Sequence, residues 1–382
     1  MAVPGVLPAE AAVSARVRAL AAPAEPRWRE APPTALTLTL TPRLRSDAID
    51  VAALVRERVA DALDGYRKAA YCSLHTTAGY LEQGLAARLE HRGDRLAPFI
   101  RAFQGLFPPD ADYRHDRLEE RRELSPEQRH CEPKNADSHL TFIAAGLRNC
   151  VTYLHRPGEP VYFVDLDGVN GDQVRTRKTT VLAYNREQVV AQTTCDVAVS
   201  RHPIDSVNLG DPRVGVLPLA EELRRQHGVE RGRVDIALAA GERDAAVTVN
   251  EFETLLMRYD LTEVLRDPLR FIARQGRRML ADPLAIPAKS LGYARYDVVQ
   301  VLNELIDALR LSESAVERLF ARLMAVPAAR RLRLKRSLSL LVTDFGGDAH
   351  IVRGTYQSPI LIQWGAAPAR RRALEITLSR FV

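Results

Sequence analysis

Three histidines in the first half of the sequence have the residue type and the setting to bind a metal. His75 follows a short apolar segment in the motif HTTA, His115 ends the motif Tyr113-Arg114-His115, and His139 opens a second apolar segment. Three histidines with one open position are the usual form of a catalytic zinc site. The set could therefore hold a divalent metal cofactor, with zinc as the first candidate ion. Hydrogen-bonded or solvent-facing histidines are the alternative, and His130-Cys131 is a competing ligand pair.

Four polar residues near these histidines could bind a substrate. Asn135 and Asp137 could contact substrate or orient the His139 imidazole through its second nitrogen, and Asp137 could instead cap the following helix. Arg175 and Arg177 are candidates for binding a phosphate or carboxylate, because the guanidinium fork matches such oxyanions. A solvated strand face is the alternative interpretation of the two arginines.

The second half of the sequence carries a different set of polar residues. Asn250 and Glu251 end the segment AAVTVNE, and Gln357 ends the segment GTYQ. Glu251 is a candidate general acid or base, and Asn250 and Gln357 could hydrogen-bond a polar substrate. Because each half lacks what the other keeps, we expect one site assembled from both halves. The alternative is a scaffolding second half in which Asn250 and Glu251 cap a helix.

Both halves show the same succession of strand and helix patterns. Residues 35–41 alternate with period two, which predicts a strand, and residues 51–63 have helical spacing. A helix is then expected over 81–101, and a polar loop covers 107–138; loops of that length are usually functional or disordered. A second cycle follows in the second half, where a helix is expected over 248–265.

The predicted fold class is therefore α+β, with two tandem domains that contain mixed sheets. A chain of 382 residues is long enough for two domains. The expected segments are a flexible Ala/Pro-rich extension over 1–34, a first domain over 35–203, a second domain over 204–382, and a helical insertion in the second domain over about 262–328.

The motifs HTTA, Tyr113-Arg114-His115 and NADSHL resemble, in this order, those of the YjbQ-like family, known as secondary thiamine-phosphate synthase. The family pattern runs HTSA or HTTA, NE, an Asp, YxH, DAHxK, GTWQ and an acidic strand VELDG, in small single-domain α+β proteins that form oligomers. The resemblance implies that His75, His115 and His139 are metal ligands. It also implies that the chain is a diverged tandem duplication, in which Asp165 stands for the acidic residue of VELDG.

The resemblance covers about residues 35–195 and 206–382 without the insertion, and each copy departs from the pattern. The first copy has Gln83 and Gly84 at the NE pair, Thr141 at the lysine and Arg156-Pro157-Gly158-Glu159 at GTWQ. The second copy has Glu242 at the first histidine and Gln363 at the acidic strand, but it keeps the NE pair, Asp260 and GTYQ. These changes predict a substrate different from that of the family.

Composition excludes several other classes of protein. No apolar run is long enough for a membrane span, and the N-terminal segment lacks the apolar core of a secretory signal, so we expect a cytoplasmic protein. The four cysteines form no CxxC pair, which argues against a disulfide framework. The net charge is +6, but the basic run 330–336 has no interleaved aromatic residue, which argues against nucleic acid as a partner.

The residues together predict a metal-dependent enzyme, a transferase, hydrolase or lyase, in a specialised pathway. Its substrate is expected to be a small polar molecule, phosphorylated molecules included; the resemblance implies the joining of an aminopyrimidine diphosphate to a thiazole phosphate. A homo-oligomer is expected, and the site could form within one chain or between chains. The alternative is a non-catalytic oligomeric protein that binds a metal for a structural or regulatory purpose.

Overall fold

A computed structural model describes residues 31–59, 63–266, 332–344 and 347–382 of the protein. Most of the predicted extension over 1–34 lies outside the described residues, as does the predicted helical insertion from residue 267 onward. Both remain predictions. Within the described ranges, no helix combines the length and the hydropathy that crossing a membrane requires.

The described residues of the first half form two antiparallel sheets, a separate hairpin and five helices. The sheets have the strand orders β1-β9-β3-β5 and β2-β6-β4, and β7 and β8 form a separate hairpin. The strands are β1 (Thr34–Leu40), β2 (Asp47–Asp50), β3 (Lys68–Ser73), β4 (Ala78–Tyr80), β5 (Cys150–Leu154), β6 (Tyr162–Asp165), β7 (Val169–Asn170), β8 (Gln173–Val174) and β9 (Arg177–Tyr184). The helices are α1 (Val51–Val59), α2 (Gln83–Arg88), α3 (Gly93–Leu106), α4 (Pro126–Cys131) and α5 (Ala136–Ala145).

The second half forms two further antiparallel sheets. Their orders are β10-β17-β12-β14-β15 and β11-β16-β13. The strands are β10 (Glu187–Ala198), β11 (Asp205–Asn208), β12 (Gly232–Leu238), β13 (Ala245–Asn250), β14 (Ser337–Thr343), β15 (His350–Ile351), β16 (Ser358–Gln363) and β17 (Arg371–Phe381). The described helices are α6 (Val216–Gln226) and α7 (Leu261–Arg266), with a π-helical turn over Leu256–Asp260 and a 3-10 turn over Pro368–Arg370.

The strand orders show that the two halves are copies of one α+β arrangement. The order β1-β9-β3-β5 is repeated as β10-β17-β12-β14, and β2-β6-β4 is repeated as β11-β16-β13. In the smaller sheets Ala78 pairs with Asp165, and Ala245 pairs with Gln363. This register places Gln83 and Asn250 at equivalent positions. The predicted fold class and duplication are confirmed.

A shared apolar core holds the two halves together. Phe103 of α3 and Phe142 of α5 belong to the same buried cluster as Ile360 and Ile362 of β16. Close to the chain end, the ring of Phe381 stacks on that of Tyr184 at 3.7 Å between centroids. Burial of apolar surface is the main favourable term in folding, so this core fixes the position of one half against the other.

Three local predictions differ from the structure. The helix expected over 81–101 is two helices, because Glu90 and His91 between them adopt φ of 57° and 52°, a left-handed conformation that ends a right-handed helix. For the helix expected over 248–265, the predicted start is too early, because β13 continues to Asn250 in register with β16. The polar loop over 107–138 contains α4, which starts at a capping box on Ser125.

Candidate metal centre

His115 is positioned by the second half of the chain. The backbone amides of Arg114 and His115 donate hydrogen bonds to the two carboxylate oxygens of Asp260 at 3.0 and 2.9 Å. The preceding Tyr113 is buried in the shared core. Burial raises the pKa of Asp260 to about 6, although the two amides and the nearby His115 lower it. The loop that carries His115 is therefore tied to the π-helical turn of the other half.

His139 lies in the first turn of α5 and is fully buried. Its Nδ1 is 2.7 Å from Oδ1 of Asn250, whose Nδ2 donates to the carbonyl of Thr76 at 3.0 Å. A carbonyl oxygen only accepts, which fixes the orientation of the Asn250 amide. His139 Nδ1 must therefore donate its proton to Asn250, and the lone pair of the imidazole lies on Nε2.

The His115 ring is oriented in the same manner. Its Nδ1 donates to Oε2 of Glu253 at 2.9 Å, and the Glu253 carboxylate is held by the backbone amides of Leu255 and Leu256, each at 2.7 Å. His115 Nε2 is 3.3 Å from Oδ1 of Asn135. Both imidazoles thus direct Nδ1 to an acceptor, the arrangement typical of metal-binding histidines. His139 Nε2 is left for a ligand, whereas His115 Nε2 faces the acceptor Asn135 Oδ1 and has to release its proton to bind a metal.

Glu251 completes a cluster with these two histidines, which we call the His115–His139–Glu251 cluster. The ligand atoms of the three residues lie within 4.8 Å of one another. Glu251 Oε2 is 3.5 Å from His139 Nε2, and Glu251 Oε1 accepts a hydrogen bond from Arg121 Nη2 at 2.9 Å. The two histidines are 0% exposed, whereas the Glu251 side chain is 16% exposed. Glu251 is therefore the member of the cluster that reaches the solvent-exposed surface.

His139 Nε2 is buried without a hydrogen-bond partner among the residues that the structure describes. A buried polar atom left unpaired costs free energy, and native structures contain few of them. A bound cation would satisfy this lone pair. Two imidazoles and one carboxylate are a donor set used by catalytic zinc and, in the facial arrangement, by non-haem iron, so the residues fit a divalent transition metal.

The pKa shifts of the two histidines have opposite signs. Burial and the neighbouring His115 lower the pKa of His139 to about 3, so His139 is neutral at pH 7, the form that binds metals. Burial also acts to lower the pKa of His115, but the hydrogen bond that His115 donates to Glu253 and the charge of Glu251 outweigh it, and the pKa is raised. The cluster thus combines one neutral imidazole with one that favours a positive charge.

His75 lies outside the His115–His139–Glu251 cluster. Its Nε2 accepts a hydrogen bond from the backbone amide of Lys178 at 2.7 Å. Burial, then the charges of Arg177, Arg175 and Lys178, lower its pKa to about 3. In the grouping of potential ligand atoms within the described ranges, Glu251 rather than His75 is the third member. A ligand role for His75 stays a prediction.

Gln357 and Asn250 hold the HTTA loop of the first half. Gln357 Nε2 donates to the carbonyls of Ser73 and His75 at 3.0 and 2.8 Å, and Asn250 reaches the carbonyl of Thr76. A Cβ atom on Gly354 would lie 1.9 Å from the carbonyl oxygen of Leu74. The GTYQ motif therefore packs against the loop so closely that only glycine fits, and the predicted substrate contact of Gln357 stays untested.

Asn135 and Asp137 lie at the start of α5 but face different partners. Asn135 Nδ2 donates to Oδ2 of Asp167 at 2.7 Å, which directs Asn135 Oδ1 toward His115. Asp137 forms an ion pair with Arg45 at 2.9 Å. Burial raises the pKa of Asp137 to about 6, with Arg45 acting in the opposite direction. Asn135 therefore contacts a histidine of the cluster, whereas Asp137 is paired with Arg45.

The two predicted substrate-binding arginines form internal ion pairs. Arg175 Nη1 is 2.8 Å from Oδ2 of Asp167. Arg177 is buried, with Nε and Nη2 bonded to Asp165 at 2.6 and 2.8 Å. Arg372 makes the matching bond to Gln363 in the second half. Substrate binding by Arg177 would require its ion pair to open.

Three residues important to the cluster were not identified from the sequence. Glu253 orients His115, Asp260 anchors its loop, and Arg121 binds Glu251. Asp260 matches a motif position without an assigned role, and the signal available for Glu253 is an acidic residue two positions after Glu251 of the NE pair. Arg121 is one of several arginines in a polar segment, and nothing in the sequence distinguishes it.

The structure is similar to solved structures that each span about half of the chain. One is a YbjQ-like protein of unknown function from Sulfolobus solfataricus P2, 16% identical, covering 51% of this chain and 99% of its own, with a TM-score of 0.27. A hypothetical protein from Aeropyrum pernix K1 is 17% identical, covering 50% of this chain and 98% of its own, with a TM-score of 0.27.

A third is an uncharacterized conserved protein of the YjbQ family from Clostridium acetobutylicum, 20% identical over 39% of this chain and 98% of its own, also with a TM-score of 0.27. No family model matches the sequence, and no curated protein matches it. At such identities the similarity concerns the fold alone. The chain is similar to YjbQ-like structures that each cover between 39% and 51% of it.

Proposed function

We propose that the protein is a metal-dependent enzyme whose cofactor, a divalent transition ion with zinc expected first, is bound by His115, His139 and Glu251. The observation that carries the proposal is the buried, unpaired Nε2 of His139 opposite the Glu251 carboxylate. The acceptors on both Nδ1 atoms support it, because such contacts fix the tautomer and the orientation of a metal-binding imidazole.

The side chains around the cluster have separate tasks in this proposal. With three protein ligands, a bound ion keeps an open position at which it can activate water or polarise a carbonyl or phosphoryl oxygen. Glu253 and Asn250 hold the two rings, and Asn135 lies against His115. The open position and the polar surroundings fit hydrolysis, elimination or group transfer on a small polar substrate, phosphorylated molecules included.

A structural role for the metal is the second candidate. Both histidines are completely buried and join the two halves of the chain through Glu253 and Asn250. A metal held there would stabilise the folded state, because its binding free energy is lost on unfolding. Burial is the observation that favours this candidate.

Elemental mass spectrometry on the purified full chain tests the metal. We expect about one transition ion per chain in the wild type, loss of the ion in His139→Ala and His115→Ala, and retention in His130→Ala, whose side chain is exposed. Circular dichroism checks that each variant is folded. Wild-type protein that stays metal-free after reloading would contradict the proposal.

Turnover separates the enzyme from the structural metal protein. The metal-loaded chain is assayed against a panel of phosphate monoesters, diphosphates and carboxylic acids, with the melting temperature measured in parallel. The enzyme predicts turnover that disappears with the metal. A melting temperature that depends on the metal without turnover on any member of the panel would favour the structural role.

A further inference from the structure

Arg121 lies next to the His115–His139–Glu251 cluster and is almost completely buried. Its side chain is 2% exposed, in the segment between Tyr113 and α4. Nη2 donates to Oε1 of Glu251 at 2.9 Å, and Nε donates to Glu123 at 2.7 Å. The backbone carbonyl of Arg121 accepts a hydrogen bond from Arg129. The guanidinium is thus held in a fixed orientation against one of the cluster carboxylates.

One nitrogen of this guanidinium is left unpaired. Arg121 Nη1 is buried and has no hydrogen-bond partner in the described part of the chain. The carboxylate oxygen Oε1 of Glu132 is 3.7 Å from Nη1, beyond the range of an N–H···O hydrogen bond. Buried donors without an acceptor are rare in native proteins and need an explanation.

Two complementary unpaired atoms therefore flank Glu251. His139 Nε2 offers a lone pair without a donor, and Arg121 Nη1 offers an N–H without an acceptor. A cation in the cluster satisfies the lone pair but leaves the N–H unpaired. An anionic oxygen beside that cation would satisfy the N–H, so the two atoms together fit a cation and an oxyanion side by side.

We propose that Arg121 binds an oxyanion of the substrate, which makes the substrate a small molecule with a phosphate or carboxylate group next to its reacting atoms. This rests on the proposed metal function. The planar guanidinium fork allows Nη2 to stay on Glu251 while Nη1 takes the anion, which a lysine cannot do.

The exposed side of the cluster agrees with this placement. The side chains of Glu251 and Glu132 are 16% and 27% exposed, whereas both histidines are fully buried. An anion that approaches past Glu251 would come alongside Arg121, which is bonded to Glu251. Arg121 would select among small molecules by their charge as they approach the metal.

The test is titration calorimetry of the full chain with inorganic phosphate and, separately, with acetate. The variants are Arg121→Lys, Arg121→Gln and Arg122→Gln; Arg122 is an exposed neighbour and provides the same change of charge. We expect Arg121→Gln to weaken binding of the preferred anion by about 10-fold or more, the effect of a hydrogen bond to a charged group. Arg121→Lys should recover only part of the loss, and Arg122→Gln should match the wild type. Tighter binding of phosphate identifies a phosphorylated substrate, and tighter binding of acetate identifies a carboxylic acid.

Metal content is measured on every sample and separates failure of this inference from failure of the metal proposal. Equal anion affinity in wild type and Arg121→Gln overturns the inference, as does the absence of anion binding in all proteins. Loss of the metal in Arg121→Gln, with unchanged anion affinity in a metal-loaded Arg121→Lys, also overturns it and leaves Arg121 to position Glu251. Anion binding that depends on Arg121 in a wild type without metal supports the anion site and contradicts the metal.

Discussion

Residue 75 in the first half and residue 242 in the second lie at equivalent places, yet one is a histidine and the other a glutamate. In the first half, the amide of Lys178 donates to His75 Nε2 at 2.7 Å. In the second half, the amide of Ala373 donates to Glu242 Oε1 at 2.8 Å. Both copies therefore need a hydrogen-bond acceptor here, and His75 supplies it with one ring nitrogen.

The arginine that precedes each of these amides can be compared in the same way, by the partners of its guanidinium. Arg177 pairs with Asp165, whereas Arg372 bonds to Gln363 and takes its ion pair from Glu242 at 2.8 Å. The carboxylate that pairs with the arginine thus lies on β6 in the first half and in the loop before β13 in the second half. In both halves the arginine also bonds to the residue at the strand position. The difference teaches that this part of each copy belongs to the framework, whereas His139 and Arg121 each keep a buried atom without a hydrogen-bond partner among the described residues.

The largest effect should come from Glu251→Gln. Removal of the charge of a ligand should weaken metal binding more than about 100-fold, because mutation of a residue that only orients a ligand already lowers metal affinity by about 10- to 100-fold. Glu82→Gln is the matched control, since Glu82 follows β4 in the first half and pairs with Lys335 and Arg148. Competition with a chelator measures both affinities. Equal metal affinities of the two variants would show that Glu251 is not a metal ligand.

Glu253→Gln should have the next effect. The variant keeps the shape of the side chain but loses the charge that faces His115, so we expect metal binding to weaken by about 10- to 100-fold. Glu187→Gln, which alters a carboxylate paired with Arg233, should bind the metal as the wild type does. The same chelator competition applies, and an unchanged affinity in Glu253→Gln would show that His115 needs no orienting partner.

Gly354→Ala tests how the second half holds the HTTA loop. The added methyl would overlap the carbonyl of Leu74, and overpacking of this kind costs about 1–3 kcal/mol of the free energy of unfolding. Gly241→Ala is the control, because Gly241 precedes Glu242 in the loop of the second half that corresponds to the HTTA loop and has open space for a methyl. Urea denaturation measures both. Equal stability of the two variants would contradict the close contact.

The smallest effect should come from His75. His75→Ala leaves the Lys178 amide without its acceptor and should cost about 1 kcal/mol of the free energy of unfolding, with the metal retained. His75→Glu copies the second half and should recover part of the loss. Denaturation and elemental analysis give the two readouts. Loss of the metal from a folded His75→Ala protein would instead support the three-histidine ligand set implied by the family resemblance.

The sequence predicted those parts of the molecule that depend on local patterns. Alternating apolar residues predicted β1, and the repeated succession of strand and helix patterns predicted the duplication, because such patterns are local properties of the sequence. The complementary motifs also led to the expectation that Asn250 and Glu251 would meet the histidines, and the structure places both beside His139.

The remaining contacts could not be predicted because they join distant segments. Arg121 and Glu251 are 130 residues apart, and His115 and Glu253 are 138 apart; no periodicity relates them. The sequence also cannot distinguish an arginine that binds substrate from one that is already paired, as the buried bonds of Arg177 to Asp165 illustrate. Such distinctions depend on burial, which only the folded chain defines.

The common core of the two halves has a consequence for how the site assembles. His139 and Glu251 belong to one polypeptide, so their encounter is unimolecular and is governed by an effective concentration rather than by the amount of protein in solution. A site formed between separate chains loses its ligands on dilution. Here the His115–His139–Glu251 cluster should stay intact at nanomolar protein, and its affinity for a metal should not depend on how dilute the protein is.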